Sequence, residues 1–94
     1  MADKGRVHIV IGGRVQGVAF RYFTLKWAGV HGLTGWARNL PDGRVEVTAE
    51  GDRAGLEAFA ERLRQGPRLA LVEEFDLRSE DYTGEFPDFR IVFP

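Results

Sequence analysis

Apolar and polar residues alternate from Arg6 to Gly12, with Val7, Ile9 and Ile11 on one face and Arg6, His8 and Val10 on the other. That period of two predicts a half-buried strand. The period then changes. From Phe20 to about His31, the residues Phe20, Thr24, Trp27 and His31 fall on one stripe flanked by Phe23, Ala28 and Val30, predicting a helix with a wide apolar face. Gly32 is placed to end it as a C-cap. Alternation returns in Leu33–Asn39 and Arg44–Glu50, two short strands joined as a hairpin across Leu40-Pro41-Asp42-Gly43. In the second strand Val45, Val47 and Ala49 face inward, and Arg44, Glu46, Thr48 and Glu50 form a wet face. Asp52 is a good N-cap for a second helix. Its stripe is Leu56, Phe59, Ala60 and Leu63, and Gly66-Pro67 stops it. Val72–Arg78 reads as a strand, wet at Glu73, Glu74 and Asp76, with Phe75 and Leu77 breaking the charged run. Ser79–Asp88 reads as a loop and Phe89–Phe93 as a short closing strand.

The order is β-α-β-β-α-β with a terminal strand. Two helices with one apolar stripe each cover only one face of a sheet, so the predicted fold class is α+β. The arrangement is a ferredoxin-like two-layer sandwich, βαββαβ with an additional short C-terminal strand, its sheet mostly antiparallel and both helices on one face. Ninety-four residues make a single small domain, 1–94. A chain this size buries roughly 60–68% of its unfolded surface, enough for one two-layer core.

Composition narrows the chemistry. Thirteen basic and 14 acidic residues are interspersed, with a net charge of −1. That mixture gives no footprint for nucleic acid or an anionic membrane, and neither partner is expected. Without cysteine there is no disulfide framework, thiolate zinc site or cysteine nucleophile. His8 and His31 stand apart rather than at ligand spacing, so a metal centre is not expected. No long apolar run occurs and Met1-Ala2-Asp3-Lys4 does not open a signal peptide, so a cytoplasmic location is expected.

The chemistry concentrates between the first strand and the first helix, at Ile11-Gly12-Gly13-Arg14-Val15-Gln16-Gly17-Val18-Ala19-Phe20-Arg21. Glycines let backbone N–H groups turn inward and approach a ligand closely. Several such groups at a helix N-terminus make an anion site, and an arginine fork beside them can take phosphate oxygens bidentately. A cation is disfavoured at that end of the helix dipole, which favours a ligand role for Arg21. The plainer alternative is that Gly12, Gly13 and Gly17 mark a bulge and a tight turn. Asn39 is equally open between a site amide and a turn residue before Pro41. Phe20 and Trp36 read as core, His8 as exposed on the open strand face, and His31 as packed at the core's edge. Arg14 and Arg38 read as solvated.

With these residues the chain resembles the acylphosphatase family over nearly its whole length. Gly13 to Arg21 fits the family's first signature: a glycine, any residue, Val-Gln-Gly, then an aromatic and an arginine. Gly35-Trp36-Ala37-Arg38-Asn39, with Gly43, Val45 and Gly51 at the expected offsets, fits the second. Position by position, the resemblance places the catalytic pair on Arg21 and Asn39. It places the phosphate loop on Val15, Gln16, Gly17, Val18, Ala19 and Phe20, with N–H donors from about Gln16 to Arg21. It implies hydrolysis of an acyl phosphate to a carboxylate and inorganic phosphate, without metal or cofactor, by a monomer that phosphate inhibits competitively. Phe23, Leu25, Trp27 and Val30 make the first helix more apolar than the resemblance leads one to expect, which bears on association.

The residue types suit that chemistry on their own terms. An arginine, an amide and backbone N–H groups do not titrate near neutrality, so the protein offers little general acid–base catalysis. A phosphomonoester expels an alkoxide and usually needs a metal or proton donor. An acyl phosphate expels a carboxylate, whose conjugate acid has a pKa of about 4.3 by analogy with glutamate. The remaining work is to bind phosphoryl oxygens, neutralise their charge and hold a water in line. Asn39, both donor and acceptor, can orient that water. RNA-recognition domains share the element order, but their Lys/Arg-Gly-Phe/Tyr-Gly/Ala-Phe-Val motif is absent. No Gly-Lys-Ser/Thr follows the loop as in a nucleotide P-loop. A non-catalytic anion-binding or regulatory module of the same fold stays as the alternative.

Overall fold

The computed structural model describes residues 3–93. Its elements are β1 (Lys4–Arg14), α1 (Phe20–Val30), β2 (Thr34–Asn39), β3 (Val45–Asp52), α2 (Arg53–Gln65), β4 (Leu71–Glu80) and β5 (Phe89–Val92). They form one five-stranded sheet in the order β4-β1-β3-β2-β5. The predicted α+β class and ferredoxin-like order hold. Every pairing is antiparallel except that of β2 with β5, which runs parallel with Gly35 opposite Phe89 and Arg38 opposite Val92.

The apolar alternation works as predicted on the helix-facing side. Val7, Ile9 and Ile11 of β1 and Val45, Val47 and Ala49 of β3 pack with Phe20 and Ala28 of α1 and Leu56, Phe59 and Leu63 of α2. Each large side chain so buried contributes about 1.5–3 kcal/mol. β1 and β4 run further than their apolar residues suggest, Arg6 pairing with Glu80 and Arg14 with Leu71. Ladder hydrogen bonds use the backbone and accept polar residues readily. Between Gly12 and Gly13 the register slips by a bulge. Gly13 has φ +119°, and a Cβ there would run into the Leu71 carbonyl.

Gly32 ends α1 as expected. It takes φ +64°, its N–H reaches the Gly29 carbonyl at 3.2 Å, and the Leu33 N–H reaches that of Ala28 at 2.8 Å. This is a Schellman closure with Leu33 buried behind it. Asp52 does occupy the N-cap position of α2, but its side chain makes no capping bond. Its carboxylate pairs instead with Lys4 at 3.0 Å, its neighbour across β3 and β1.

The face away from the helices departs from the simple wet surface expected of it. β4 and β5 are opposite edges, so residues 81–88 must cross the sheet, and they cover Glu50. Its carboxylate is wholly buried and accepts hydrogen bonds from the Thr83 N–H, the Thr83 hydroxyl and the Gly84 N–H, each at 2.9 Å, and from Arg6 at 3.3 Å. Thr48 is also buried, between its cross-strand partners Trp36 and His8. Trp36 is therefore not a core residue: Gly35 and Ala37 take the inward positions of β2, and strand parity turns Trp36 outward beneath Arg38. His8 is half-buried rather than exposed, its Nε2 2.7 Å from Glu46, which also accepts from Arg38 at 2.6 Å. Burial opposes the charge on Glu46, but those two partners outweigh it and hold its pKa below the usual value.

Candidate active site

β1 and β2 end on the same side of the sheet, and this brings the two sequence motifs together. After Arg14 the chain turns through residues 15–19 into α1. Gly17 takes φ +75° and Ala19 φ +60°, the latter the one non-glycine residue with positive φ among those described. A residue with a Cβ in that region carries strain of about 1–2 kcal/mol, and such strain clusters at functional sites. Here it turns the peptide groups on either side of the helix entry.

Ala19 is also the N-cap of α1 and supplies no capping side chain. The first helical bond runs from the Phe23 N–H to the Ala19 carbonyl at 3.0 Å. Among the described residues, no backbone N–H from Gln16 to Tyr22 donates to a protein acceptor. Most helices satisfy such donors with Ser, Asp or a first-turn acid. This helix has no acidic residue in its first turn and has Arg21 instead. Donors and cation point to an anion, as the loop's sequence suggested.

A cleft of about 290 Å³ opens at this point. The loop lines it with Val15, Gly17, Ala19 and Phe20, the first turn of α1 with Arg21 and Tyr22, and the end of β2 with Asn39. Arg21 is half-buried, with its guanidinium 4.9 Å from the centre of the Phe93 ring. It pairs with no carboxylate among the described residues. The Asn39 amide likewise has no hydrogen-bond partner among the described residues. Both expected catalytic side chains therefore face one cleft with their hydrogen-bonding groups uncommitted.

Two expected loop residues lie elsewhere. Val18 is half-buried against the core, and Gln16 does not line the cleft. Instead the Gln16 amide donates to the Leu40 carbonyl at 2.8 Å and the Arg44 carbonyl at 2.9 Å. It braces the loop against the β2–β3 hairpin, immediately after Asn39. That hairpin is closed by the Leu40 N–H on the Arg44 carbonyl at 2.7 Å and by Asp42 accepting from Arg44. Phe20 is both core and cleft wall, being almost wholly buried. Three features escaped the motif reading: the Gln16 brace, Tyr22 in the cleft wall and Phe93 under Arg21. Only Tyr22 had a signal in the sequence, its place beside Arg21 at the helix start. No cluster of three metal-ligating side chains occurs among the described residues.

Comparison with known proteins shows the family and the fold. The family model described as Acylphosphatase matches residues 7–91. The chain is 49% identical over 87 residues to an acylphosphatase of Methylococcus capsulatus, covering 93% of this chain and 95% of that one. It is 50% identical over 88 residues to one from Syntrophus aciditrophicus, covering 94% and 92%. Its fold is similar to the crystal structure of acylphosphatase from Bacillus subtilis, with a TM-score of 0.90 at 36% identity, over 94% of this chain and 98% of that one.

Proposed function

The chain belongs to the acylphosphatase family and is a hydrolase of acyl phosphates, and we propose that it works at the α1 cleft with Arg21 and Asn39 as the catalytic pair. The observation that carries this reading is the convergence of three things in that cleft: uncommitted N–H groups, an arginine without a carboxylate partner, and a free amide. The N–H groups of residues 16–21 and the Arg21 guanidinium hold the phosphoryl oxygens and spread their charge. Asn39 accepts from the attacking water and places it in line with the bond to be broken. The water oxygen bonds to phosphorus, the phosphorus–oxygen bond to the acyl group breaks, and the carboxylate leaves with the electron pair. No side chain lining the cleft has an ordinary pKa near neutrality. The water's proton therefore passes to a phosphate oxygen, and dihydrogen phosphate is the product.

On this reading the domain acts as a cytoplasmic monomer, and its mixed, near-neutral charge supports the absence of a nucleic-acid or anionic-membrane partner. No helix among the described residues is long and apolar enough to cross a membrane. The direct test is phosphate release from benzoyl phosphate with EDTA present, expected to proceed while p-nitrophenyl phosphate is barely attacked. A strict requirement for an added divalent cation would contradict the mechanism. Asn39→Ala is expected to lower kcat by roughly 10²-fold while inhibition by inorganic phosphate changes little. Such a split marks an interaction made mainly in the transition state.

A further inference from the structure

Tyr22 is an aromatic residue 60% exposed, yet it forms part of the cleft wall. Its place on α1 explains how it does both. It is the third helical residue, and side chains of a helix lean toward its N-terminus, covering the turn before their own Cα. A residue at this position therefore leans over the end of the helix where the uncommitted N–H groups and Arg21 gather. Its hydroxyl has no hydrogen-bond partner among the described residues, so no protein hydrogen bond holds the ring away from the cleft.

We propose that Tyr22 is a specificity-determining residue, whose ring forms the wall against which the acyl group of the substrate packs. The proposal rests on the assignment of phosphate to Arg21 and the loop. With the phosphoryl group held there, the bridging oxygen and acyl carbon point to the mouth of the cleft, where Tyr22 stands. The chemistry of the mouth then selects the acyl group. Among the lining residues Arg21 is the only charged one, and it is committed to phosphate. No second cation lines the cleft to take a carboxylate on the acyl chain. The ring offers a flat apolar face, which favours a planar aromatic or bulky apolar acyl group over acetyl.

The test compares benzoyl phosphate with acetyl phosphate in the wild type, Tyr22→Ala and Tyr22→Phe. Tyr22→Ala is expected to lower kcat/KM for benzoyl phosphate by about three- to tenfold, mainly through KM. Acetyl phosphate turnover and inhibition by inorganic phosphate should stay within about twofold, and Tyr22→Phe should behave as wild type. Equal loss on both substrates would make Tyr22 a structural residue of the helix start, and unchanged kinetics on both would leave it outside the site. Either result overturns the proposal while leaving acyl phosphate hydrolysis intact. A wild-type protein that hydrolyses neither substrate would instead overturn the reading of the cleft itself.

Discussion

At both ends of the sheet, backbone N–H groups and an arginine converge, and at one end they enclose a carboxylate of the chain itself. There Glu50 receives two N–H groups, a hydroxyl and Arg6, and it sits buried under residues 81–88. At the other end, the N–H groups of residues 16–22 have no protein acceptor among the described residues, and Arg21 stands in the first turn of α1 with no acidic side chain beside it. The parts are chemically alike. Where the anion is built in, the grouping ties the crossing loop to β1 and β3 and contributes to stability. Where it is not, the chain carries uncommitted donors, a cation at the positive end of a helix and Ala19 in a strained conformation. Those features cost stability in the free protein and are repaid only by a ligand. On the proposed reading, one arrangement serves as a staple and the other as a substrate site, according to who supplies the negative charge.

The largest effect should come from taking the arginine out of the substrate end. Arg21→Ala is expected to lower kcat/KM for benzoyl phosphate by about 10³-fold, the upper range for losing one donor to a developing charge. Phosphate should also lose its power to inhibit. Stability should move by no more than about 0.5 kcal/mol, because loss of the Phe93 contact is offset by relief of the dipole clash. Arg21→Lys should rescue little, since a point charge does not replace a bidentate fork. Wild-type kcat/KM in Arg21→Ala would remove Arg21 from the site and end the comparison.

Removing the built-in anion should have the opposite character. Glu50→Ala leaves the Thr83 and Gly84 donors without their acceptor, while Arg6 keeps Glu80 at 2.9 Å and Glu85 at 2.7 Å, and urea unfolding should show a loss of about 3 kcal/mol. Activity per folded molecule should be nearly unchanged, because the proposed site lies at the other end of the strands. Burial opposes the charge on Glu50, but the hydrogen bonds from Thr83, Gly84 and Arg6 outweigh it and depress its pKa. A carboxylate with a depressed folded pKa stabilises the protein fully above its ordinary range, and that contribution is lost as pH falls through the folded value. The melting temperature of the wild type should therefore fall on acidification below the usual glutamate range, and Glu50→Gln should flatten that fall. An identical acid profile in the two proteins would show that Glu50 does not drive it.

Much of this contrast was visible in the sequence, but unevenly. The strand and helix periods of Val7 to Ile11, Val45 to Ala49 and Leu56 to Leu63 reflect burial against one apolar layer, and burial is what hydrophobic patterning records. That Arg21 and Asn39 meet at one cleft was legible because two motifs carry them; their catalytic roles are the proposal that the variants test. Glu50 was not legible, since a charge on an outward strand position reads as solvated. Only a crossing loop that joins opposite sheet edges buries it, and sheet order is not local information. Trp36 was misread for a related reason: size suggested core, whereas parity beside Gly35 and Ala37 decided its face. The Asp52 cap failed because a cross-strand lysine competes for the same carboxylate.

The smallest effect expected is at the residue that joins the two motifs. The Gln16 amide holds the Leu40 and Arg44 carbonyls, and each of these also accepts a backbone N–H from within the hairpin. Gln16→Ala therefore leaves no carbonyl wholly unpaired, and the cost in stability should be about 1 kcal/mol, the net worth of a neutral bond. The activity should reveal more. Without the brace Asn39 is free to drift relative to the phosphate loop, and misplacement of a reactant lowers kcat rather than ground-state binding. A loss of about three- to tenfold in kcat is expected, with inhibition by phosphate unchanged. Gln16→Glu sharpens the test, because it keeps the shape but turns a carboxylate toward two carbonyl oxygens, and it should lose more than Gln16→Ala on both measures. If both variants keep wild-type kcat, the loop and hairpin hold their relative positions without the brace, and Gln16 contributes its backbone alone.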